Sequence, residues 1–419
     1  EQGLSKASLE HYIKVCGKQF SKLLSSQQVQ AEADRVWCGV ERCLFGNGKE
    51  LHFKKLMDFD TIGGKSNKNG ARFDLDAMYV NWLGLSLKCY LPKSENSLSY
   101  VWESLKGKIS YCNIKRLMFS SGWRYYAEIV VSGAAPTRVS IGTSTMGIDP
   151  GVSTIAGVSE DACVLEELAP NAIQYEKKIQ KISQRMDRSR RISNPNKYNE
   201  DGTINRSNRD PWKYSKNYVK MCRLLKSLYR KKHAYIVDSH RKLCNKLITI
   251  AKYFPVEKMH FQALQKKATE TKRQEKKTEV KQKDGTVKVI QKYKRKKRFG
   301  RSINRRAPAR FLLELKRKAE AVGGVYAEVD TKEFKASQYN HVTDTYEKIP
   351  LSQREKEIGN RKVQRDLYSA FLIRNADLDF KHPDREKCEY EFEHFANLQD
   401  QLILKMKESG LSMRQCFGF

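Results

Sequence analysis

The stretch MGIDPGV, residues 146–152, decides how this 419-residue chain is expected to fold. Its apolar residues predict the end of a strand, and its Pro-Gly pair predicts a tight turn before a second strand that runs to Val158. Asp149 stands at the end of the first strand, where a lone carboxylate is costly to bury. One interpretation is a plain turn, and the other is a site with room for a large group beside Asp149.

Two further acids have similar surroundings. Glu257 ends a short apolar strand candidate, and Asp366 lies in a predicted helix over residues 363–375. Ser369 and Ala370 follow Asp366 by three and four residues, on the same helix face. Small residues there leave room for a metal ion and a phosphate. Three carboxylates can hold two Mg²⁺ ions about 4 Å apart for in-line phosphodiester displacement, so the three acids predict a magnesium-dependent phosphodiesterase.

The charge of the chain points to a polyanionic partner. Lys and Arg number 80 against 48 Asp and Glu, which gives a formal net charge of +32. Self-repulsion of this size opposes a compact state unless an anion compensates it. A membrane surface is the rival partner, but the charge is spread along the chain rather than concentrated on one helix. The longest apolar stretch, residues 78–91, is interrupted by Asn81 and Lys88, so we expect no transmembrane span and no membrane partner.

The cysteines indicate a reducing compartment. Ten are present and none forms a CxxC pair, which argues against a zinc ribbon and a disulfide scaffold. We interpret them as mostly buried, reduced thiols of a cytoplasmic protein. The first residues do not resemble a signal peptide. The chain does not begin with Met, so we expect its first residues to have been trimmed.

Hydrophobic periodicity divides the chain into regions. Residues 1–48 have helical spacing, whereas 49–140 are rich in β-branched and aromatic residues between turn signals and predict a small β-barrel. In that region Trp82, Trp123, Tyr125 and Tyr126 could fill the core or stack on bases. Long helices are predicted over 171–192 and 214–250.

Two segments are almost purely basic. Residues 213–246 contain 11 Lys or Arg and one acid, and residues 265–306 contain 18 against four acids. A helix or loop of one charge sign more often lies against phosphates than against solvent, although a flexible basic loop is the alternative for 265–306. Within that segment, Val280–Ile290 predicts a hairpin with Asp284-Gly285 as its turn.

The order GIDPG, a strand-end Glu and QRDLYSA resembles the RuvC-like nuclease domain of TnpB proteins. These are transposon-encoded, RNA-guided endonucleases related to compact type V CRISPR effectors. The resemblance extends from about residue 49 and includes WRYY at 123–126 and KASQY at 335–339. It implies that Asp149, Glu257 and Asp366 are the catalytic acids and the ligands of two Mg²⁺ ions, with Mn²⁺ as a substitute.

The resemblance also implies an architecture. It comprises a helical recognition segment (1–48), a β-barrel domain of the wedge type (49–140) and an α/β RNase H-like (RuvC) nuclease domain (141–419). The nuclease domain would contain the basic insertion 265–306 and a target-nucleic-acid-binding insertion at about 337–362. TnpB proteins commonly carry two Cys pairs in the latter, but this chain has none between 337 and 366. We therefore expect no zinc site, and we expect His341 to be an ordinary polar residue.

The function implied is RNA-guided cleavage of DNA in a prokaryotic cytoplasm. A guide RNA would bind along the basic surfaces, and a double-stranded DNA target would be cut beside a short flanking motif. The alternatives are a guided DNA-binding protein without cleavage and an unguided RNase H-like resolvase or transposase. The predicted nucleic-acid contacts are Lys294, Arg295, Lys297, Arg298, Arg301, Arg305, Arg365, Trp123 and Tyr125.

The basic segment 265–306 gives a testable prediction. Replacing Lys294, Arg295, Lys297 and Arg298 together with Ala should flatten the log–log dependence of RNA affinity on salt by about 3 to 4 units, because each phosphate contact releases counterions. Unrelated sequences should be weakened equally, since phosphates carry no sequence information. Filter-binding titrations at increasing salt compare wild type with the quadruple variant, and an unchanged slope would contradict the prediction.

Overall fold

The computed structural model describes residues 5–46, 48, 50–54, 58–265, 273–281, 287–293, 299–350 and 352–410. Its α-helices are α1 Lys6–Gly17, α2 Ser26–Leu44, α3 Glu95–Leu105, α4 Ala172–Ser193, α5 Lys216–Ile250, α6 Phe261–Gln265, α7 Gly300–Arg306, α8 Pro308–Ala321, α9 Thr331–Phe334, α10 Arg365–Arg374 and α11 Arg385–Glu408. The long helices predicted over 171–192 and 214–250 are confirmed as α4 and α5.

The strands are short. They are β1 Thr61–Ile62, β2 Arg72–Asp74, β3 Tyr79–Trp82, β4 Leu85–Lys88, β5 Ile109–Phe119, β6 Gly122–Val131, β7 Ser144–Thr145, β8 Gly147–Pro150, β9 Thr154–Val158, β10 Cys163–Glu167, β11 Ala251–Glu257, β12 Arg273–Lys281, β13 Val287–Tyr293, β14 Val325–Val329, β15 Tyr339–Asn340, β16 Thr345–Tyr346, β17 Glu355–Ile358 and β18 Arg361–Gln364. The strand–turn–strand prediction around residues 146–152 is confirmed as β8 and β9.

The chain forms two compact units, the first of which comprises Glu1–Pro136 and Lys181–Arg230. It begins with α1 and α2, whose N-termini are fixed by capping boxes at Ser5 and Ser25. In each box a serine hydroxyl and the side chain three residues later satisfy backbone N–H groups that would otherwise lack partners. The helical character predicted for the first 48 residues is therefore present in α1 and α2.

The β region of the first unit consists of two three-stranded antiparallel sheets. Their strand orders are β1-β5-β6 and β2-β3-β4. Phe73, Val80 and Ile114, with α3 residue Leu105, form a core to which both sheets contribute. The described strands do not pair into one closed barrel, because no strand of one sheet hydrogen-bonds to a strand of the other. Trp82 packs against this core, so for that residue the core interpretation is correct.

The second unit, Thr137–Gln180 with Lys231–Phe419, is built on a mixed sheet. Its strand order is β10-β9-β8-β11-β14, and β7 pairs with the start of β11. Strand β9 runs antiparallel to β10 and β8, whereas β11 runs parallel to β8, β7 and β14. Parallel neighbours require crossover connections, and here helices α5 and α8 precede β11 and β14.

Helices cover both faces of this sheet. On one face Ile148 and Phe254 pack with Leu247 of α5 and Phe311 of α8. On the other face, strand residues pack against α10 and α11 through a cluster that includes Phe371. Strands buried on both faces read as continuous apolar runs, as in β9, where every residue is buried. The predicted α/β class is thus confirmed.

Helix α10 differs from the sequence prediction. A helix with one core face was expected, but the helix is buried on all sides except at Asp366, which is partly exposed. Burial on all sides follows from its position between the sheet and α11. Its contact with β8 is close, because a Cβ atom at Gly147 would overlap with the Ala370 carbonyl oxygen and the Arg374 amide nitrogen. A residue without a side chain is therefore required at position 147.

Other sequence predictions have mixed outcomes. Strands β12 and β13 pair antiparallel, which confirms the hairpin, while its predicted turn at Asp284-Gly285 lies outside the described residues. The interpretation of the cysteines as mostly buried is wrong: of the nine described, only Cys112, Cys244 and Cys388 are buried. No helix in the described part of the chain is both long and apolar enough to cross a membrane.

Gly147 gives a prediction for stability. Gly147→Ala should lower the free energy of unfolding of the second unit by about 3 kcal/mol or more, because its methyl group overlaps backbone atoms of α10 that cannot move independently. The measurement is urea unfolding followed by circular dichroism, because all five tryptophans lie in the first unit.

Gly300→Ala is the matched control. The nearest atom to a Cβ there, the Gln265 carbonyl oxygen, lies at 3.8 Å, an ordinary contact distance. Because alanine is also the better helix former, this variant should unfold at or slightly above the wild-type urea concentration. Equal midpoints for the two variants would contradict the packing argument.

Candidate nuclease site

Two of the three predicted acids lie side by side on neighbouring strands. Strands β8 and β11 are parallel, and Ile148 is in register with Val256. The next residue on each strand is Asp149 and Glu257, respectively, and their carboxyl groups are joined by a hydrogen bond. Two carboxyl groups can form such a bond only when one of them carries a proton. The sheet thus brings together acids that are far apart in sequence.

Burial and mutual repulsion disfavour two negative charges at this position. Burial raises the pKa of Asp149 well above its usual value, and the charges of Glu257 and Asp366 and the hydrogen bond that protonated Asp149 donates to Glu257 raise it further. Burial likewise raises the pKa of Glu257, with a second increase from Asp366 and a decrease from the Asp149 hydrogen bond. A cation placed between the carboxyl groups would relieve both effects.

Asp366 lies in the first turn of α10, within electrostatic range of the other two acids. Its carboxylate is held by two arginines. Arg354 Nη1 lies 3.1 Å from Oδ2, and Arg365 donates from Nη2 and Nε to Oδ1 at 2.9 and 3.1 Å. The Gln364 side chain caps the helix by accepting from the Leu367 amide. In this conformation both Asp366 oxygens are therefore engaged by guanidinium groups.

The donor set determines which metal the site could hold. Within the described ranges, no group of three or more His, Cys, Asp or Glu side chains is arranged to hold a metal ion. Asp149 and Glu257 nevertheless present hard oxygen donors side by side, and Mg²⁺ is commonly held by one or two carboxylates together with substrate phosphates. The pair therefore fits Mg²⁺. A third bond from Asp366 would require its carboxylate to leave an arginine.

The predicted nucleic-acid contacts are placed in different environments. Arg301 and Tyr125 are exposed, whereas Arg305 is paired with Glu176 at 2.7 Å and Arg365 is buried against Asp366. The remaining predicted cations, Lys294, Arg295, Lys297 and Arg298, lie outside the described residues. Positive charge in the sequence could not distinguish arginines that pair with acids inside the protein from arginines that face solvent.

Trp123 carries cations over its ring. Arg116 lies 4.4 Å and Lys226 4.9 Å from its ring centroid. Trp123 is in register with Met118, so Arg116, two residues earlier on β5, is its diagonal neighbour on the same face. The cation–ring contacts could not be predicted from the sequence, because the contact with Lys226 of α5 joins segments about a hundred residues apart. Tyr125, which is 68 % exposed, is the more available ring for base stacking.

The segment 337–362, which contains no cysteine, is held together by buried polar groups. Lys356 is 6 % exposed and donates to the carbonyl oxygens of Tyr339 and Gln338, at 2.7 and 3.4 Å. His341 is also buried, and its Nδ1 lies 2.7 Å from the Tyr368 hydroxyl. Burial lowers the pKa of His341 to about 4, so the ring is neutral at physiological pH. His341 is a core residue, and not the ordinary polar residue that the sequence predicted.

Comparison with known proteins gives only weak similarity. No protein-family model matches the chain, and no curated protein matches it. Among solved structures, a CRISPR-Cas12f ternary complex determined by cryo-EM is similar over 91 % of this chain and 75 % of that chain, with 13 % sequence identity and a TM-score of 0.29. A TM-score of this size does not establish a common fold.

Lys356 gives a prediction with a defined sign. Burial lowers its pKa to about 8 in the folded protein, against 10.5 for an ordinary lysine. Between these values the unfolded state binds more protons, so stability should rise with pH from 8 to about 10, by at most about 1.4 kcal/mol per pH unit. Lys356→Met should remove this contribution. Urea unfolding of both proteins at half-unit pH steps measures it.

Lys362→Met is the control for this experiment. Lys362 lies on the same hairpin but is exposed. The control should retain the wild-type rise in stability, because an exposed lysine undergoes no comparable desolvation on folding. A pH dependence that persists in Lys356→Met would show that another group causes it.

Proposed function

We propose that this protein is an RNA-guided, magnesium-dependent DNA endonuclease of the RNase H-like class. The observation that carries the proposal is the hydrogen-bonded Asp149–Glu257 pair on parallel strands, with Asp366 in electrostatic range. Ionising both of these carboxyl groups is unfavourable, as their raised pKa values indicate, and a bound cation would remove this cost. Such perturbed groups concentrate at functional sites.

The roles of the acids follow from their positions. Asp149 and Glu257 would hold Mg²⁺, and Asp366 would complete the ligand set once its carboxylate leaves Arg354. The bound ions would supply polarisation of the scissile phosphodiester and stabilisation of its leaving oxygen. Arg354 is 34 % exposed, so it is the more accessible of the two arginines that hold Asp366 and could turn toward a substrate phosphate.

Nucleic acid as the partner is supported by charge. An excess of 32 positive charges remains even when every acid is paired, and cations such as Arg116 and Lys226 are held over the Trp123 ring. Guide RNA and double-stranded DNA with a short flanking motif are the partners that this proposal assigns. The same proposal assigns a wedge-type role to the two-sheet region 49–140, helical recognition to 1–48 and target binding to the segment at about 337–362.

A guided binder without cleavage is the second candidate. The observation that favours it is that Arg354 and Arg365 bind both carboxylate oxygens of Asp366. Only Asp149 and Glu257 then remain as metal ligands. An unguided resolvase or transposase is a further alternative from the sequence. Sequencing the RNA that co-purifies with the protein separates guided from unguided function, because only a guided protein retains a defined RNA.

The acids give a prediction for cleavage. Asp149→Ala, and separately Glu257→Gln, should reduce cleavage by orders of magnitude, because each removes one of the paired metal ligands. The assay uses a plasmid that carries the sequence complementary to the co-purified RNA, with Mg²⁺ or Mn²⁺. EDTA should abolish wild-type cleavage, while guide-dependent DNA binding by both variants should stay close to wild type.

Asp161→Asn serves as the control. This carboxylate is exposed in the turn between β9 and β10, away from the paired acids. The variant loses the same charge and should cut at the wild-type rate. If wild type binds the guided target but does not cut it with either metal, the binder replaces the nuclease as the function.

A further inference from the structure

A groove in the first unit lies between the C-terminal half of α4 and the start of α5. Its cavity has a volume of about 370 Å³. It is lined by Arg185, Arg188, Ser189, Ile192, Ser193 and Ser215. None of these residues belongs to the acid site or to the individual contact residues predicted from the sequence, and Ser215 alone lies in the basic segment 213–246. Two arginines and three hydroxyl groups around one small cavity are typical donors for an oxyanion.

The two arginines of the groove differ from their neighbours in having no acidic partner. Arg190 and Arg191 both pair with Asp187, at 2.9 and 2.8 Å. Arg185 and Arg188 are exposed, and no ion pair or hydrogen bond joins either to another of the residues that the structure describes. Their charges are therefore available to an external anion.

Helical spacing aligns these charges. Lys181, Arg185, Arg188 and Ile192 follow one another at intervals of four, three and four residues, which places them along one face of α4. Ile192 is 81 % exposed, so the basic stripe ends in an apolar side chain that faces solvent beside the groove. A nucleotide matches this combination, because its phosphate can bind the arginines while the carbon atoms of its sugar contact the apolar side chain.

Two serine hydroxyl groups line the groove, and an aromatic ring lies next to one of them in sequence. Ser189 and Ser215 hydroxyls lie 3.1 Å apart, and Ser215 also accepts from the Tyr218 amide, which fixes its position. Tyr214, adjacent to Ser215, stacks on Tyr218 with ring centroids 4.6 Å apart and an interplanar angle of 18°. Tyr214 is 51 % exposed, so part of its ring remains free for a further stacked group.

We propose that this groove binds an unpaired nucleotide within a nucleic-acid strand. Arg185 and Arg188 would bind its phosphates, Ile192 would contact the sugar and Tyr214 would stack on the base. The surrounding segment 181–230 contains 14 Lys or Arg and four acids, which favours a polyanion over a peptide. The inference rests on the proposed nucleic-acid function and adds a strand-binding site distant in sequence from the catalytic acids.

The first test measures the salt dependence of binding. Fluorescein-labelled decauridylate and decathymidylate are titrated in EDTA, so that cleavage plays no part. Arg185→Gln combined with Arg188→Gln should lower the log–log salt slope by about 1.4, which is two phosphates at roughly 0.7 each for single strands. Lys381→Gln combined with Lys387→Gln, two exposed lysines of the second unit, removes the same charge and should leave the slope unchanged.

The second test concerns the ring of Tyr214. Tyr214→Ala should weaken binding of both oligonucleotides by about fivefold or more, whereas Tyr214→Phe, which keeps the stacking surface, should bind like wild type. Loss for decauridylate alone would assign the site to RNA through its 2′-hydroxyl groups, and equal loss would assign it to either strand. Both results support the site.

Outcomes that overturn the inference are separable from failure of the nuclease proposal. If the arginine pair has the same slope as the lysine control, or if Tyr214→Ala binds like wild type, the groove is not a strand-binding site. The cleavage assay of the Asp149 variant is unaffected by either result. If wild type binds neither oligonucleotide at any salt concentration, the groove inference fails, and the guided cleavage assay still tests the proposed nuclease.

Discussion

The close contact between strand β8 and helix α10 is the constraint on which the second unit depends. It exists because Gly147 has no side chain where the backbone of α10 passes. Asp149 lies two residues beyond this contact on the strand, and Asp366 lies four residues before Ala370 on the helix. The same contact therefore brings Asp149 and Asp366 into electrostatic range of each other. The parallel pairing of β11 with β8 places Glu257 beside Asp149.

Charge balance at the site is achieved in two ways. The raised pKa values of Asp149 and Glu257 oppose the presence of two negative charges, whereas Asp366 is neutralised by Arg354 and Arg365. Paired arginine and carboxylate groups compensate the cost of burial only when both partners remain. Binding of divalent cations would replace the proton and compete with Arg354 for Asp366. Arg354 lies in the loop before the β17–β18 hairpin. Its ion pair with Asp366 therefore joins the segment 337–362 to the acid site.

Basic residues serve distinct purposes in this protein. Arg305 and Lys232 both pair with Glu176, and Lys356 anchors backbone carbonyl groups inside the insertion. Others, such as Arg185 and Arg188, remain exposed in a groove. Internal pairing reduces the charge available to a partner locally but leaves the net charge of +32 unchanged. Which surfaces meet a polyanion is therefore decided by the distribution of acids rather than by the density of lysine and arginine.

The α/β class of the second unit and its three candidate acids could be predicted from the sequence alone. Apolar runs and the Pro-Gly turn specify β8 and β9 locally. A carboxylate at a strand end is unusual enough to make Asp149 a candidate site residue. The sequence did not determine that β17 and β18 place Arg354 on Asp366, that His341 is a core residue, or that the first-unit strands form two sheets. Those features depend on contacts between distant segments, and local periodicity carries no information about which distant segments meet.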